Sequence, residues 1–299
     1  MALQLALIGA GRIGKVHAHA IATAIPGAKL AAVADPYVEA AHTLAQQYGV
    51  AVVSSDPLDV LKRADIDAVI RASSTDTHAP LMIAAAAAGK HIFCEKPIAA
   101  RLSDIDAALN AVEQAGVKLQ IGFNRRFDAS FRRIRQAIDS GEIGTPHLLH
   151  IISRDPAPPP VAYVKVSGGM FFDMTIHDFD MARFLFGEVE TIYAVGRVLV
   201  NPAIGEAGDI DTALITLQFV SGALGTIDNS RQAVYGYDQR VPAYVSELQD
   251  FVDCLAQDRP ASVSGYDGRV PVVMAMAARR SYLEQRPVHL SEITHDENL

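Results

Sequence analysis

Three side chains in this sequence have the chemistry that the oxidation of an alcohol requires. Such a reaction removes a hydroxyl proton and transfers a hydride, so it needs a base that titrates near neutral pH and a cation that favours the developing alkoxide. His177 is suited to be the base, and Lys96 is suited to be the cation because it follows a predicted buried strand, residues 91–94. Asp173 lies four residues before His177, on the same face of a predicted helix, where it can orient the imidazole. The candidate catalytic residues are therefore Lys96, Asp173 and His177.

Other interpretations of Asp173 and His177 remain open from the residues alone. The pair could be a helix cap with an exposed neighbour, two metal ligands, or the acid–base pair of an active site. A metal site needs at least a third ligand, and the sequence contains no HExxH motif and no cluster of cysteines. We therefore predict no metal site, and the structural and catalytic interpretations stay equally open at this point.

A glycine motif near the amino terminus predicts a dinucleotide site. The letters GAGRIG at Gly9–Gly14 follow the predicted strand Leu3–Ile8 and begin a helix, which is the context that the GxGxxG motif requires. Gly9 permits a tight turn, Gly11 lets the backbone approach a pyrophosphate, and Gly14 allows the helix to pack closely on the strand. The amino terminus of the helix then offers free N–H groups and a positive dipole end to the phosphates.

The end of the second predicted strand favours NAD over NADP as the cofactor. Asp35 lies there, and a carboxylate at this position accepts hydrogen bonds from ribose hydroxyls and repels a 2′-phosphate. The loop 73–78 follows another strand, and loops at the carboxyl ends of parallel strands line the cofactor crevice. Generic loop polarity explains each polar residue of that loop equally well. The residues predicted to bind NAD are Gly9, Gly11, Arg12, Ile13, Gly14, Asp35, Ser73, Ser74, Thr75, His78, Glu95 and Lys96.

The elements that must position these residues fall into two groups. Residues 1–122 alternate short apolar strands with helices, which predicts an α/β domain with a doubly wound parallel sheet. Residues 123–299 contain an amphipathic helix and consecutive strands with a hairpin signal at Ser221-Gly222, which predicts an α+β domain with a mostly antiparallel open sheet. The predicted strands are 3–8, 30–34, 51–53, 68–72, 91–94, 119–121, 191–200, 211–220 and 223–228. The predicted helices include 37–48, 57–62, 80–88, 103–115, 173–186, 245–255 and 270–283.

The composition disfavours several classes of protein. The 299 residues include 26 Lys and Arg against 34 Asp and Glu, a formal net charge of −8. This charge disfavours nucleic acid or an anionic membrane surface as a partner. No apolar run reaches the length of about 18 residues that a membrane span needs, and the first residues lack a positively charged leader. Two cysteines without a CxxC pair fit a reducing setting, so we expect a cytoplasmic protein.

Four motifs, in this order along the chain, resemble one family of oxidoreductases. They are GAGRIGKVHA at 9–18, EKPIA at 95–99, GFNRRFD at 122–128 and GGMFFDMTIHDFDMARFLFG at 168–187. The resemblance extends over nearly the whole chain. The chain resembles the glucose–fructose oxidoreductase, inositol dehydrogenase and MocA family. Within that family it is most similar to the bacterial inositol 2-dehydrogenases.

The resemblance implies a fold, a reaction and a set of site residues. It implies a Rossmann domain followed by an α/β domain whose open sheet often mediates dimers or tetramers, so we expect a homo-oligomer. The implied reaction is NAD-dependent oxidation of one secondary hydroxyl of a cyclic polyol, from myo-inositol to 2-keto-myo-inositol (scyllo-inosose). In this family the histidine that matches His177 is the base, and the residues that match Lys96 and Asp173 bind the reacting hydroxyl and relay its proton. The Lys96–Pro97 peptide is expected to be cis, as in relatives. The implied substrate-binding residues are Lys96, Asn124, Arg126, Asp155, Asp173, His177 and Tyr235.

Two rival functions and one departure from the family pattern accompany this expectation. The same residues are compatible with this hydride chemistry on another sugar or sugar acid, and the fold is compatible with a non-catalytic NAD-binding regulator. After Arg240, relatives continue through another strand and a turn, whereas here residues 241–244 lead almost directly into the penultimate helix. Several dozen residues are therefore absent at this point, either because the deletion is real or because a segment is missing from this sequence. If the deletion is real, the sheet loses at least one strand and part of the pocket wall, and an edge of the sheet is exposed.

Overall fold

Two units of structure are present in the computed structural model, which describes residues 2–233 and 241–294. The first unit comprises residues 1–128 and 240–268, and the second comprises residues 129–239 and 269–299. The sequence analysis predicts a single boundary after residue 122. The contacts instead group the segment 240–268 with the first unit, and the core of that unit explains why.

Six strands form the sheet of the first unit. They are β1 (Leu3–Ile8), β2 (Ala28–Ala34), β3 (Val52–Ser54), β4 (Ala68–Arg71), β5 (His91–Glu95) and β6 (Leu119–Gly122). Their order in the sheet is β3-β2-β1-β4-β5-β6, and every neighbouring pair is parallel. This order is that of the Rossmann fold. The predicted doubly wound parallel sheet is therefore confirmed.

The helices of this unit that precede residue 122 begin and end near their predicted bounds. They are α1 (Arg12–Ala24), α2 (Val38–Tyr48), α3 (Pro57–Leu61), α4 (His78–Ala87) and α5 (Leu102–Ala115). Helices α2 and α5 end at Gly49 and Gly116, whose φ angles are +68° and +64°. A left-handed residue at this position ends a helix with little strain only when it is glycine.

A five-stranded, mostly antiparallel sheet forms the centre of the second unit. Its strands are β7 (Leu148–Arg154), β8 (Val189–Arg197), β9 (Thr212–Phe219), β10 (Leu224–Ser230) and β11 (Val288–His289). Their order is β11-β8-β9-β10-β7, and only the pair β10–β7 is parallel among the described residues. The predicted mostly antiparallel sheet is confirmed. Strand β7 was not predicted, because its partner β10 lies far away in the sequence and no local turn signal links the two.

The remaining helices include one that departs from its predicted form. They are α6 (Ala129–Asp139), α7 (Val161–Val164), α8 (Met170–Asp173), α9 (Thr175–Phe186), α10 (Pro202–Glu206), α11 (Val241–Ala256) and α12 (Gly265–Glu284). The sequence predicts one helix over 173–186, whereas the structure has α8 and α9, separated at Met174, whose φ and ψ are −93° and −58°. The His177 N–H accordingly donates to the carbonyl of Met174, three residues back. None of the described helices is long and apolar enough to span a membrane.

One face of the second sheet is covered and the other is open to solvent. Along β9 the burial alternates, with Ala213, Ile215, Leu217 and Phe219 buried. Helix α9 contacts β7 and β10, and Ser281 of α12 accepts a hydrogen bond from the backbone of β8. The opposite side of the sheet carries four exposed apolar side chains that we call the open face: Leu148, Ile152, Leu214 and Leu224.

The core of the first unit explains why α11 belongs to it. Leu248, Phe251 and Val252 of α11 are buried in one cluster with residues of β1, β2, β4 and β5. The Phe251 ring lies 5.9 Å from the ring of Phe93 on β5. Burying an apolar side chain of this size contributes about 1.5–3 kcal/mol. The sequence of α11 shows an apolar pattern but does not show which sheet the helix covers. A prediction with a single domain boundary could therefore not include the return of the chain to the first unit.

Candidate functional site

The turn after β1 and the first turn of α1 each have one position at which only glycine fits. Gly9 has a φ of +105°, which side chains rarely adopt, and a Cβ there would lie 2.6 Å from the backbone of Ala72. A Cβ on Gly14 would lie 1.9 Å from the carbonyl oxygen of Gly9. Since both obstacles are backbone atoms, these two glycines are what allows β1, α1 and the end of β4 to lie so close together.

Gly11 differs from its neighbours because a Cβ there would meet no atom within 4 Å. It is the N-cap of α1, and no described side chain caps this amino terminus. Arg12 and Ile13 begin the helix, and their backbone N–H groups belong to the first turn, which has no intrahelical partner. An uncapped helix amino terminus beside open space can bind a phosphate, so the residues present fit a dinucleotide.

The carboxylate of Asp35 is held beside this glycine turn by two backbone groups. Its Oδ2 accepts from the N–H of Ala10 at 2.7 Å, and its Oδ1 accepts from the N–H of Tyr37 at 2.8 Å. An ionised carboxylate has about four acceptor positions, so each oxygen keeps capacity for a ribose hydroxyl. The orientation of Asp35 therefore fits its predicted role.

A buried arginine holds the loop that follows β4. Arg71 is fully buried, and burial lowers the pKa of its guanidinium. One of its N–H groups donates to Ser73 Oγ at 3.1 Å, and another donates to the carbonyl oxygen of His78. Ser73 Oγ also lies 2.7 Å from Thr77 Oγ1. The Ser73 hydroxyl thus already stabilises the loop, and its contact with a cofactor stays a prediction. The other predicted loop residues are Ser74, which is exposed, and Thr75, which is half-buried.

His78 connects this loop to the turn that carries Lys96. Its Nδ1 lies 2.7 Å from the carbonyl oxygen of Pro97, and its Nε2 lies 3.0 Å from that of Ser73. Burial, and then the charge of Arg71, lowers the pKa of His78 to about 4. The ring is therefore neutral at pH 7 and has one N–H, which we assign to the shorter contact with Pro97. Both ring nitrogens face the chain itself, so the predicted cofactor contact of His78 stays a prediction.

The residues on both sides of Lys96 make polar contacts with other elements of the first unit. The Lys96–Pro97 peptide is cis, as the resemblance implies. Lys96 is half-buried and follows β5 directly. Glu95 ends that strand, and its Oε1 lies 2.7 Å from Nε2 of His17 on α1. The residue before Lys96 is thus bound to α1, and the residue after it is bound to His78.

Two further predicted substrate residues, Asn124 and Arg126, lie on a single turn after β6. A 3-10 helix spans Asn124–Phe127, in which Asn124 is half-buried and Arg126 is buried. Nη2 of Arg126 lies 3.2 Å from Oδ1 of Asp267 in the same unit. This ion pair is consistent with the burial of the guanidinium. A contact of Asn124 or Arg126 with substrate stays a prediction.

In the second unit, a buried arginine joins two of the predicted substrate-binding carboxylates. Nη1 of Arg231 lies 2.9 Å from Oδ2 of Asp155 and 2.9 Å from Oδ2 of Asp173. The hydroxyl of Tyr163 donates to Oδ1 of Asp173 at 2.8 Å. Burial lowers the pKa of Arg231, but the charges of Asp173 and Asp155 outweigh this effect and raise it overall. Arg231 is therefore a permanent cation that brings Asp155 and Asp173 together.

Sequence reasoning missed Arg231 and Tyr163. Arg231 follows the predicted strand 223–228 by only a few residues, and a charged side chain at a strand end is a weak signal unless its burial is known. Tyr163 lies beyond the proline-rich segment, where no pattern relates it to Asp173. Tyr235, the remaining predicted substrate residue, lies outside the described residues.

His177 lies in the first turn of α9, and buried hydrogen bonds anchor that helix. Thr175 Oγ1 donates to Oδ1 of Asn229 at 2.6 Å. Nδ2 of Asn229 donates to Oδ2 of Asp178 at 2.8 Å. These bonds to β10 hold the helix at one rotation about its axis. They therefore determine the direction of the helix face that carries the half-buried His177.

Comparisons with known proteins match both parts of the chain. Residues 3–123 match the family model of an oxidoreductase family with an NAD-binding Rossmann fold, and residues 131–247 match the GFO/IDH/MocA C-terminal domain. The chain is 42% identical to myo-inositol 2-dehydrogenase of Thermotoga maritima, over 97% of this chain and 99% of that protein. It is 36% identical to scyllo-inositol 2-dehydrogenase (NAD(+)) of Bacillus subtilis, over 96% of each. A crystal structure of scyllo-inositol dehydrogenase from Lactobacillus casei with bound NAD(H) and scyllo-inositol is 29% identical, with a TM-score of 0.91, over 97% of this chain and 100% of that one.

The alignment with the Thermotoga maritima protein also bears on the expected missing segment. It extends over 333 positions, although this chain has 299 residues. That relative therefore has stretches without a counterpart here. The absence is predicted after Arg240, and the residues immediately before that point, 234–240, lie outside the described residues.

Proposed function

This chain belongs to the GFO/IDH/MocA oxidoreductase family, and we propose that it is an NAD-dependent dehydrogenase that oxidises myo-inositol to 2-keto-myo-inositol. The observation that carries the proposal is its match, over nearly the full length of both proteins, to inositol dehydrogenases. The chain also has a lysine, an aspartate and a histidine, Lys96, Asp173 and His177, at the matching motif positions. A protein that only binds the cofactor has no need of a base and a cation there.

Three features of the first unit support NAD as the cofactor. Among the described residues, no side chain caps the amino terminus of α1, and the space beside Gly11 is open. The carboxylate of Asp35 is oriented by backbone N–H groups at the end of β2. A negative charge at that position disfavours the additional phosphate of NADP.

The proposed chemistry divides between the cofactor and side chains of the chain. When bound, NAD⁺ accepts the hydride from the carbon that bears the reacting hydroxyl. His177 acts as the base that takes the hydroxyl proton, and the Lys96 ammonium stabilises the oxygen as it becomes negative. Asp173 binds the same hydroxyl and relays its proton. Arg231 and Tyr163 hold the Asp173 carboxylate in one orientation, which preorganises it for that role.

A substrate screen tests the proposal. Purified protein is incubated with NAD⁺ or NADP⁺ and a panel of myo-inositol, scyllo-inositol, aldoses and sugar acids, and formation of the reduced cofactor is followed by absorbance. We expect the highest kcat/KM with myo-inositol and NAD⁺. A preference for scyllo-inositol, the substrate in the names of two relatives, would correct the substrate and keep the reaction class. NAD⁺ binding without turnover on any member of the panel would favour a regulator.

We expect Asp35→Ala to weaken NAD⁺ binding and to relax the choice of cofactor. The variant loses acceptors for the ribose hydroxyls, and hydrogen bonds to a charged group are each worth about 1.5–3 kcal/mol. The Kd of NAD⁺ should rise about tenfold or more, and the ratio of kcat/KM for NAD⁺ over NADP⁺ should fall. Asp67→Ala is the matched control, because Asp67 also accepts a backbone N–H, from Gln4 at 2.7 Å. An unchanged Kd in Asp35→Ala would remove Asp35 from the cofactor site.

We further propose that the chain forms a dimer or tetramer through the open face of the second sheet. Leu148 and Leu214, on β7 and β9, are 76% and 56% exposed, and Leu224 on the strand between them is 50% exposed. Leu224 pairs with Leu148 in the strand register, so apolar side chains adjoin one another across the sheet. Leu214 lies further along the sheet, where it pairs with Asp228. Exposed apolar side chains grouped on one face of a sheet are typical of an interaction site.

Substitution on the open face tests this assembly. Leu214→Glu is expected to shift the protein to a monomer, measured by light scattering after size-exclusion chromatography, because it places a charge in the proposed contact. The matched control is Leu283→Glu on α12, since Leu283 is also exposed but lies outside the sheet. Retention of the wild-type mass by Leu214→Glu would exclude this face as the contact.

A further inference from the structure

Three ionisable side chains from three different elements meet in the interior of the first unit. His17 lies on α1, Glu95 at the end of β5 and Glu247 on α11, and one nitrogen or oxygen atom of each lies within 4.8 Å of the others. His17 and Glu247 are fully buried, and the side chain of Glu95 is 12% exposed. We call these residues the His–Glu–Glu cluster. The sequence analysis placed Glu95 at the cofactor and assigned no role to the other two.

Glu247 is the unusual member of this cluster. Neither of its carboxyl oxygens has a hydrogen-bond partner in the described part of the chain. Burial, and then the negative charge of Glu95, raises the pKa of its carboxyl well above the ordinary value of 4.5. Two buried carboxylates this close cannot both be charged without a large cost. Both effects favour the neutral, protonated form of the Glu247 carboxyl.

The geometry of the other pair favours a hydrogen-bonded cluster over a metal site. Nε2 of His17 and Oε1 of Glu95 are 2.7 Å apart, which is the distance of a charge-assisted hydrogen bond. Two ligands of one zinc ion, each about 2.0–2.1 Å from the metal in a tetrahedron, lie about 3.3 Å apart. A metal ion at this position would have to displace the hydrogen bond between His17 and Glu95. His17 packs instead against the ring of Phe93, 5.3 Å away between centroids.

We propose that Glu247 is a positioning residue, which acts through Glu95 to hold the Lys96 turn in the geometry that hydride transfer requires. Glu95 directly precedes Lys96, and His17 binds its carboxylate. Glu247 approaches that carboxylate from α11, with one of its oxygens within 4.8 Å of an oxygen of Glu95. The backbone of Glu247 is itself fixed, because its carbonyl accepts from Nε2 of the buried Gln120 on β6. This role rests on the proposed function for Lys96.

Two substitutions of Glu247 distinguish the effect of its polar group on kcat from the effect of a negative charge. Glu247→Gln keeps a neutral polar group of the same size, and we expect its kcat to stay within about threefold of wild type. Glu247→Leu leaves an apolar group beside the Glu95 carboxylate, and we expect kcat to fall at least tenfold while the Kd of NAD⁺ changes less than threefold. The control is Leu248→Ala, which removes a fully buried neighbour on the same helix and should lower Tm without a comparable loss of kcat.

Three readouts do not require turnover and so distinguish this proposal from the proposed function. The infrared C=O band of a protonated carboxylic acid should be present in wild type at pH 7 and absent in Glu247→Gln. A carboxyl with a raised pKa binds more protons in the folded state, so its contribution to stability falls as pH rises above the ordinary value of 4.5. The Tm of wild type should therefore decrease, relative to that of Glu247→Gln, as the pH is raised. Metal analysis of the purified protein should find no stoichiometric metal.

Four results would overturn the inference. A wild-type kcat in a folded Glu247→Leu would show that the residue positions nothing. Equal loss of kcat in the Gln and Leu variants would show that the negative charge itself is used. Stoichiometric metal that disappears in Glu247→Gln would make the cluster a metal site. If Glu247→Leu does not fold, absence of the infrared band in wild type still refutes the neutral acid.

Discussion

Replacing His177 with alanine is expected to lower kcat for polyol oxidation by about 10²–10⁴-fold, which is the usual contribution of a positioned general base. The substitution removes the imidazole from the first turn of α9 and leaves the bonds of Thr175 and Asp178 to Asn229 in place. The helix should therefore keep its position. The Kd of NAD⁺, measured by fluorescence titration, should stay within about threefold, because the predicted NAD contacts lie in the first unit.

The matched control for His177→Ala is His147→Ala. His147 is an exposed histidine of the same unit, and its side chain has no assigned role. Its replacement should leave both kcat and the Kd of NAD⁺ unchanged. Near-full activity in His177→Ala would exclude His177 as the base and would reopen the choice between a structural and a catalytic role for the Asp173–His177 pair.

The second large effect is expected for Gly14→Ala. This substitution should lower the stability of the folded protein and should not act on the chemical step. The new Cβ would be placed 1.9 Å from the carbonyl oxygen of Gly9, so α1 must move away from β1. Forcing atoms into a packed interior costs about 1–3 kcal/mol and sometimes more. Because the obstacle is backbone, we expect the upper part of this range, with a fall in Tm measured by calorimetry.

Gly11→Ala is the matched variant. It separates the role of glycine in close packing, at Gly14, from its role in leaving space for a ligand, at Gly11. Its Cβ would meet no atom of the chain within 4 Å, so Tm should change little. The methyl group would occupy the space where we place the pyrophosphate, and the Kd of NAD⁺ should rise about tenfold or more, a loss of about 1.4 kcal/mol. Tight NAD⁺ binding by Gly11→Ala would contradict the assignment of this turn to the phosphates.

Local signals account for most of what could be predicted in the first unit. The strand Leu3–Ile8 and the motif after it were predicted with the observed bounds, because a short apolar run followed by glycines leaves few alternatives. The ends of α2 and α5 follow from Gly49 and Gly116 for the same reason. Each of these features depends on residues adjacent in the sequence, and that is the information a single sequence contains.

Features that depend on distant pairings could not be predicted. Strand β7 exists because it pairs with β10, more than 70 residues later. Arg231 belongs to the candidate site because it lies between Asp155 and Asp173. The helix α11 completes the core of the first unit although it follows four of the five strands of the second sheet. Burial and partner identity decide all three, and neither can be read from spacing.

The late position of α11 along the chain has a consequence for biosynthesis. A ribosome that has made residues 1–128 has made every strand of the first sheet, but not Leu248, Phe251 and Val252, which cover it. Phe93 and its neighbours therefore stay incompletely covered while about 120 further residues, up to Val252, are translated. Domains usually fold in the order of synthesis, but here the amino-terminal half can mature only after α11 has left the exit tunnel. During that interval the sheet exposes apolar surface, which favours aggregation of a nascent chain.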